Sequence, residues 1–163
     1  MKKLLLLLLA IGCLQIVSAQ LKTTAVCPAF TVDVLGGKIN DLYINSTFTE
    51  FKTTFPCFTS MEEENSSSKC GGVIFFKDKD IYLYTGRDYV EIREKFKGKL
   101  SLPLLGASRT ALFKWLGHPK IKDVSWDAFQ TAYGSLILYY NKAGKIIKLQ
   151  MSTKSTESIQ LCE

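Results

Sequence analysis

The stretch YGSLILYYNKAGKIIKLQMST, residues 133–153, decides the fold class of this chain. Apolar and polar residues alternate on both sides of residues 141–144, and a period of two is the pattern of half-buried β-strands. Gly144 accepts the left-handed backbone that short hairpin loops require. The sequence therefore predicts an antiparallel hairpin with one side in the core. The core side holds Ile147, Leu149 and Met151, and the other side holds Lys148, Gln150 and Ser152.

A short amphipathic helix is expected before this hairpin, at residues 108–116. Ser108 is its predicted N-cap, and Leu112, Trp115 and Leu116 form an apolar stripe. Gly117 suits the C-terminal cap, and the proline two residues later prevents continuation.

The first half of the chain shows a similar order. Residues 46–52 predict a helix in which Thr47 and Glu50 form a capping box, followed by an apolar face that continues to Phe55. Strands are predicted at residues 73–76 and 81–85, and then at 88–96. Further short strands are expected at residues 30–34 and 159–162, and a polar loop at 61–69.

These elements predict an α+β fold, with short helices packed on antiparallel β-sheet and two similar helix–hairpin halves. Residues 1–19 are expected to be a signal peptide. Residues 20–163 are then a single α+β domain, whose halves cover roughly 20–101 and 102–163.

The N-terminus indicates export. Lys2 and Lys3 precede the apolar run of residues 4–9, and small residues at 17–19 suit signal cleavage before Gln20. The alternative is a lipoprotein that is modified at Cys13. No later stretch approaches the roughly 20 apolar residues of a spanning helix. We expect a periplasmic or extracellular protein without a transmembrane segment.

Four cysteines remain after signal cleavage, and an even number in an exported chain favours two disulfides. Three connectivities are open. We expect Cys57–Cys70, which closes the polar loop, and Cys27–Cys162, which ties the two ends together.

Charge and composition exclude several classes of function. The chain has a net charge of +6 and a single histidine, and His118 follows a predicted helix-ending glycine, so a local turn role is favoured over general-base catalysis. No metal-ligand spacing, phosphate loop or nucleophile motif is present. We therefore expect no enzyme activity, no cofactor, no metal and no nucleic-acid partner.

Aromatic residues on the predicted hairpins favour protein binding, because Tyr and Trp are enriched at interface hot spots. Tyr82 and Tyr84 share one side of a strand and are the leading candidates for exposed contacts. The remaining candidate contact residues are Tyr89, Trp126, Tyr133 and Lys148.

The second half also resembles a known group of proteins. The matching residues are Gly106–Ser108, Leu116–Pro119 and Tyr139–Ile146. This pattern resembles the helix-then-hairpin unit of small exported bacterial proteins, among them the outer-membrane assembly lipoproteins of the SmpA/OmlA type and, in tandem duplicated form, the β-lactamase inhibitory proteins. The match covers residues 106–153, and 45–96 only loosely. The chain departs from the assembly-lipoprotein pattern in its N-terminus and its four mature cysteines.

The resemblance implies a protein that binds other proteins on a sheet face or loops and performs no chemistry. The favoured hypothesis is a periplasmic inhibitor or immunity protein that neutralises a toxin or an enzyme. The alternatives are an envelope structural or assembly component associated with the outer membrane, and a small-ligand-binding protein.

Overall fold

The computed structural model describes residues 25–62, 72–85 and 89–159. This part of the chain is mainly β-sheet with two short α-helices, α1 (Phe48–Thr54) and α2 (Phe113–Leu116). A 3₁₀ turn, Arg109–Ala111, precedes α2. The strands in chain order are β1 (Thr31–Asp33), β2 (Lys38–Ile39), β3 (Leu42–Tyr43), β4 (Ser60–Glu62), β5 (Val73–Phe76), β6 (Ile81–Tyr84), β7 (Tyr89–Arg93), β8 (Lys99–Leu100), β9 (Ile121–Lys122), β10 (Trp126–Gln130), β11 (Ser135–Tyr140) and β12 (Ile146–Ser152). Within the described ranges, no helix has the length and apolar character needed to cross a lipid bilayer.

Eight of the strands form one antiparallel sheet in the order β4-β5-β6-β7-β12-β11-β10-β9. Strands β4 to β7 follow one another across the sheet, and so do β9 to β12. The two runs meet where β7 pairs with β12. One helix precedes each run of four strands, α1 the first and α2 the second.

The other four strands form a small sheet in the order β3-β2-β1-β8. The strand predicted at residues 30–34 is confirmed as β1, which pairs in parallel with β8. Strands β2, β3 and β8 have two residues each, which is too short to leave a periodic pattern in the sequence. Of the predicted strand at 159–162, residues 160–162 lie outside the described ranges, and so do residues 63–69 of the predicted loop.

One apolar cluster fills the space between the small sheet, the helices and one side of the large sheet. Phe51 and Phe55 contribute from α1 and its C-cap, and Leu112, Trp115 and Leu116 contribute from the α2 region. These predicted apolar faces are confirmed. We name the corresponding side of the large sheet the core face. Its buried side chains in the cluster are Ile74, Phe76, Ile81, Leu83, Val90, Ile92, Phe129, Leu136, Leu138, Tyr140, Ile146, Leu149 and Met151.

The two helix starts differ. The predicted capping box of α1 is confirmed, because the Thr47 hydroxyl accepts from the Glu50 amide at 3.2 Å and the Glu50 carboxylate accepts from the Thr47 amide at 2.7 Å. The predicted Ser108 cap is wrong. Its hydroxyl lies 2.8 Å from the Thr110 hydroxyl, and α2 begins only after the 3₁₀ turn.

The central hairpin is confirmed with one change of orientation. Tyr139 pairs with Lys148, but Tyr140 pairs with Ile146, so Ile147 is the extra residue of a β-bulge. The bulge puts Ile146 in the core in place of Ile147, against the simple alternation. Leu149 and Met151 face the core as predicted.

The predicted disulfide pairing is wrong. Cys27 and Cys57 form a disulfide across 5.3 Å between their Cα atoms, which excludes both Cys57–Cys70 and Cys27–Cys162. The physical reason is the packing of two aromatic rings, Phe30 and Phe55, which stack with centroids 4.6 Å apart and bring the segment before β1 to the end of α1. Cys70 and Cys162 lie outside the described residues.

Candidate functional site

The side of the large sheet opposite the core face carries a different set of residues, and we name it the second face. Its side chains come from β5, β6, β7, β10, β11 and β12, and they are placed by the strand register. Its principal members are Phe75, Tyr82, Tyr84, Tyr89, Glu91, Arg93, Trp126, Ile137, Tyr139, Lys148 and Gln150. The buried apolar members are not part of the core cluster.

Register brings residues from both runs of strands into transverse rows on this face. One row aligns Tyr82, Glu91 and Gln150 across β6, β7 and β12. The next row aligns Arg93 and Lys148 with the aromatic pair of β11 and β10, Tyr139 and Trp126. Residues far apart in sequence therefore form one continuous surface.

Glu91 is the centre of a polar network on the second face. Its side chain is only 4% exposed, and it forms an ion pair with Arg93 on the same strand and with Lys148 at 3.5 Å on β12. The Gln150 amide donates to it at 2.9 Å, and the Tyr89 hydroxyl donates at 3.0 Å. Four donor groups thus compensate the burial of one carboxylate.

Aromatic rings flank this network on both sides. The Arg93 guanidinium lies 4.1 Å from the ring centroid of Tyr82, and the Lys148 ammonium lies 4.0 Å from that of Tyr139. The Tyr139 hydroxyl also donates to Gln150 at 2.8 Å. Cation–π contacts of this kind hold long basic side chains in defined positions.

Electrostatics keep Glu91 ionised. Burial raises the pKa of its carboxyl, but the hydrogen bond from Gln150 and the charges of Lys148 and Arg93 outweigh that effect and lower the pKa below its usual value. Burial and the adjacent Glu91 carboxylate both raise the pKa of Tyr89. The tyrosine hydroxyl therefore stays protonated and available as a donor.

The lowered pKa of Glu91 predicts a pH-dependent contribution to stability. A carboxylate whose pKa is lower in the folded state stabilises the fold above its unfolded pKa, and this stabilisation is lost as the pH falls through the folded value. We expect Glu91→Gln to lower the free energy of unfolding by about 1–3 kcal/mol at pH 7, and the difference from wild type to shrink below about pH 4.5.

Urea unfolding at pH 7 and at pH 3.5 measures this difference. Glu94→Gln, which removes an exposed carboxylate from the same chain segment, is the matched control. A difference for Glu91→Gln that stays constant between the two pH values would contradict the assignment.

The structure brings together most of the residues that the sequence selected for binding. Tyr82 and Tyr84 share one side of β6 as predicted, and Tyr89 and Lys148 lie on the same face. Trp126 is at the far end of that face, on β10.

The expected exposure of Tyr82 is wrong. The residue is 8% exposed, with Arg93 lying over its ring. Tyr84 is half-buried, and its ring lies 4.9 Å from that of the buried Tyr89.

Tyr133 does not belong to this surface. It lies in the turn between β10 and β11, where its hydroxyl donates to the Val34 carbonyl at 3.0 Å and its ring packs against the core cluster. In the described structure it links the large sheet to the loop that follows β1.

Sequence reasoning missed Glu91, Arg93, Gln150 and Tyr139 as parts of one site. The alternation of residues 89–93 puts Glu91 and Arg93 on one side of the strand, which by itself indicates an ordinary solvated face. The missing information was that β7 pairs with β12, which aligns Glu91 with Gln150 across 59 residues.

A second buried ion pair lies on the core side of the sheet. The Arg109 guanidinium donates to both oxygens of Asp127, and the Tyr140 hydroxyl donates to the same carboxylate at 2.8 Å. Arg109 also donates to the main-chain carbonyls of Asp123 and Val124, just before β10. We name this group the Arg109 clamp. It ties the segment before α2 to β10.

His118 lies near the Arg109 clamp but outside it. Its ring contacts that of Phe113 with centroids 4.7 Å apart, and both line a cavity of about 310 Å³ between α2 and β10. Among the described residues, no three His, Cys, Asp or Glu side chains come together as a metal site.

Comparison with protein-family models, with curated proteins and with solved structures finds no match to this chain.

Proposed function

We propose that this chain is an exported, non-enzymatic protein-binding module and that its second face is the contact surface. In its most concrete form, the protein is an inhibitor or immunity protein that neutralises a toxin or an enzyme in the periplasm or outside the cell. The signal-like N-terminus supports export, and the Cys27–Cys57 disulfide is compatible with an oxidising compartment.

The observation that carries the proposal is the composition of the second face. One side of an eight-stranded sheet holds six aromatic residues beside Arg93 and Lys148, four of them half-buried, and the rings come from both runs of strands. Tyr, Trp and Arg are the residue types that dominate interface hot spots. The half-buried residues are Phe75, Tyr84, Tyr139 and Trp126, and the buried ones are Tyr82 and Tyr89.

The order of elements supports a further part of the proposal, that the chain consists of two related units. Each unit has one short helix followed by four antiparallel strands, and the two units meet at β7 and β12. This order agrees with the duplicated helix-and-hairpin arrangement that the resemblance implies. In such an arrangement, both units contribute to one continuous sheet face.

The test of the proposal uses two half-buried aromatic residues at opposite ends of the second face, Tyr84 and Trp126. Tagged mature protein, residues 20–163, is used to capture a partner from native envelope extract, and the partner is identified by mass spectrometry and purified. We expect Tyr84→Ala and Trp126→Ala each to weaken binding of that partner about tenfold or more. Titration calorimetry with the purified partner measures the loss.

Tyr43→Ala is the matched control, because Tyr43 is 53% exposed on the small sheet. We expect it to bind as the wild type does. Wild-type affinity in both second-face variants would contradict the proposed surface. Recovery of outer-membrane assembly proteins as the partner would favour the envelope alternative over the inhibitor hypothesis.

A further inference from the structure

We propose that one end of the second face, at Arg93, Lys148 and Tyr139, is a subsite for a carboxylate, and that it takes an Asp or Glu side chain of the protein partner. This inference rests on the proposed function, because it names the chemistry of the group that the partner presents.

The first argument is an imbalance of charge between two strands. Arg93 on β7 lies directly opposite Lys148 on β12, and like charges in directly opposed positions destabilise a sheet. Glu91 contacts both and neutralises one of them. The cluster keeps one net positive charge, which an incoming carboxylate would balance.

The second argument is the supply of hydrogen-bond donors. The Nε–H of Arg93 donates to Glu91, and its two terminal amino groups have no hydrogen-bond acceptor among the described residues. The Lys148 ammonium is 3.5 Å from Glu91, which is longer than a good charge-assisted bond. The two side chains are 46% and 26% exposed, so their donors reach the surface.

The third argument is the space beside these cations. Arg93, Lys148 and Tyr139 line a cavity of about 560 Å³, and Ile147 adds an apolar wall. The β-bulge places Ile147 there rather than in the core. A carboxylate on a short apolar stem therefore meets cations at its head and an apolar surface along its stem.

Three other charged groups line the cavity, Asp80, Glu94 and Lys95. Asp80 accepts from the Lys95 main-chain amide at 2.8 Å and from the Tyr82 hydroxyl at 3.3 Å and keeps its negative charge. The charge of Lys95 offsets one of the two carboxylates, and the other remains on the lining. A singly charged carboxylate is repelled less by this remaining negative charge than a doubly charged phosphate, and it therefore suits the pair Arg93 and Lys148 better.

The experiment uses a pair of dipeptides as probes, acetyl-Glu-Tyr-amide and acetyl-Gln-Tyr-amide. Each is titrated into ¹⁵N-labelled mature protein and followed by NMR. We expect saturable shifts of the Arg93 Nε–H and of the Lys148 and Tyr139 amides with the glutamate peptide. The glutamine peptide should bind with at most a fifth of the affinity of the glutamate peptide, because it lacks the charge.

Two variants are expected to change the affinity for the glutamate peptide in opposite directions. Lys148→Met should weaken binding of the glutamate peptide at least fivefold, whereas Glu91→Gln should tighten it several-fold because it removes the internal competitor. Lys142→Met, which removes an exposed cation from the hairpin turn, is the control and should leave the affinity unchanged.

Equal binding of the two peptides, no saturable shift, or weaker binding in Glu91→Gln would each overturn the carboxylate subsite. None of these outcomes would overturn the proposed function, since the Tyr84 and Trp126 variants test the protein contact itself. If a free carboxylate such as acetate binds as tightly as the glutamate peptide, the subsite is specific for a small-molecule carboxylate. That result would contradict the assignment to a side chain of the protein partner.

Discussion

Replacing Cys27 and Cys57 together by alanine is expected to lower the free energy of unfolding by about 3.5 kcal/mol. The bond spans a sequence separation of 30 residues. Closing a loop of that length removes conformational entropy from the unfolded chain, and the size of the effect rises slowly with loop length. Urea unfolding of the protein comprising residues 20–163 under oxidising conditions measures the difference.

The control for this expectation is the same pair of proteins in excess reductant. Wild type and variant should then have nearly equal stabilities, because both lack the bond. Non-reducing peptide mapping should recover Cys27 linked to Cys57. A peptide in which either cysteine is linked to Cys70 or Cys162 would contradict the assignment, as would equal stability of the two proteins under oxidising conditions.

The cysteine pairing illustrates which features of this fold were open to sequence reasoning. Phe30 and Phe55 are 25 residues apart, and nothing local in either segment reports that their rings stack. Phe76 packs against both, at 5.1 and 6.0 Å. The disulfide follows from this three-ring contact, and a loop-closing argument from spacing alone therefore selected the wrong partner.

Most local patterns predicted the local structure correctly, the Ser108 cap excepted. The capping box of Thr47 and Glu50 lies within four residues, and the alternation of residues 89–93 reports one strand. Gly117 and Gly144, both with positive φ, stand where the predicted helix end and hairpin loop require them. Each of these signals depends on contacts within one turn or one strand.

The candidate site depends on pairing between distant strands, and no local sequence pattern indicates that pairing. From the sequence alone, Glu91 is expected to be a solvent-exposed charge. Its burial follows from the pairing of β7 with β12, which brings Lys148 and Gln150 into contact with it. The cover of Tyr82 follows from the pairing of β6 with β7. Its cover is Arg93, whose position is fixed by Glu91 on the same strand. Exposure could not be inferred from strand side alone.

The Arg109 clamp is the place where a single substitution is expected to be most damaging. Arg109→Met keeps much of the apolar stem but leaves the Asp127 carboxylate, which is 4% exposed, with the Tyr140 hydroxyl as its remaining side-chain partner. Removing one member of a buried ion pair costs about 3–5 kcal/mol, because the other charge stays buried without compensation. Urea unfolding should show a loss of that size.

The double variant Arg109→Met with Asp127→Leu shows how much of the lost stability comes from the unpaired Asp127 charge and how much from lost packing. Replacing both members of a buried pair by apolar residues is often close to neutral, so the double variant should recover most of the stability that Arg109→Met loses. Lys79→Met is the control, since its pair with Asp78 is largely exposed and should change the stability by less than about 1 kcal/mol. If the double variant were no more stable than Arg109→Met, the larger contribution would be what both variants lack, the packing of Arg109 and its bonds to the carbonyls of Asp123 and Val124.

The same variants separate stability from binding. The Arg109 clamp lies on the core side of the sheet, where it contacts the segment before α2 and the start of β10, whereas the proposed contacts lie on the second face. A double variant that regains its stability should therefore also regain full affinity for the partner captured by the wild-type protein. Persistent loss of affinity in a stable double variant would place the contact surface near α2 and His118, and it would overturn the assignment of the second face.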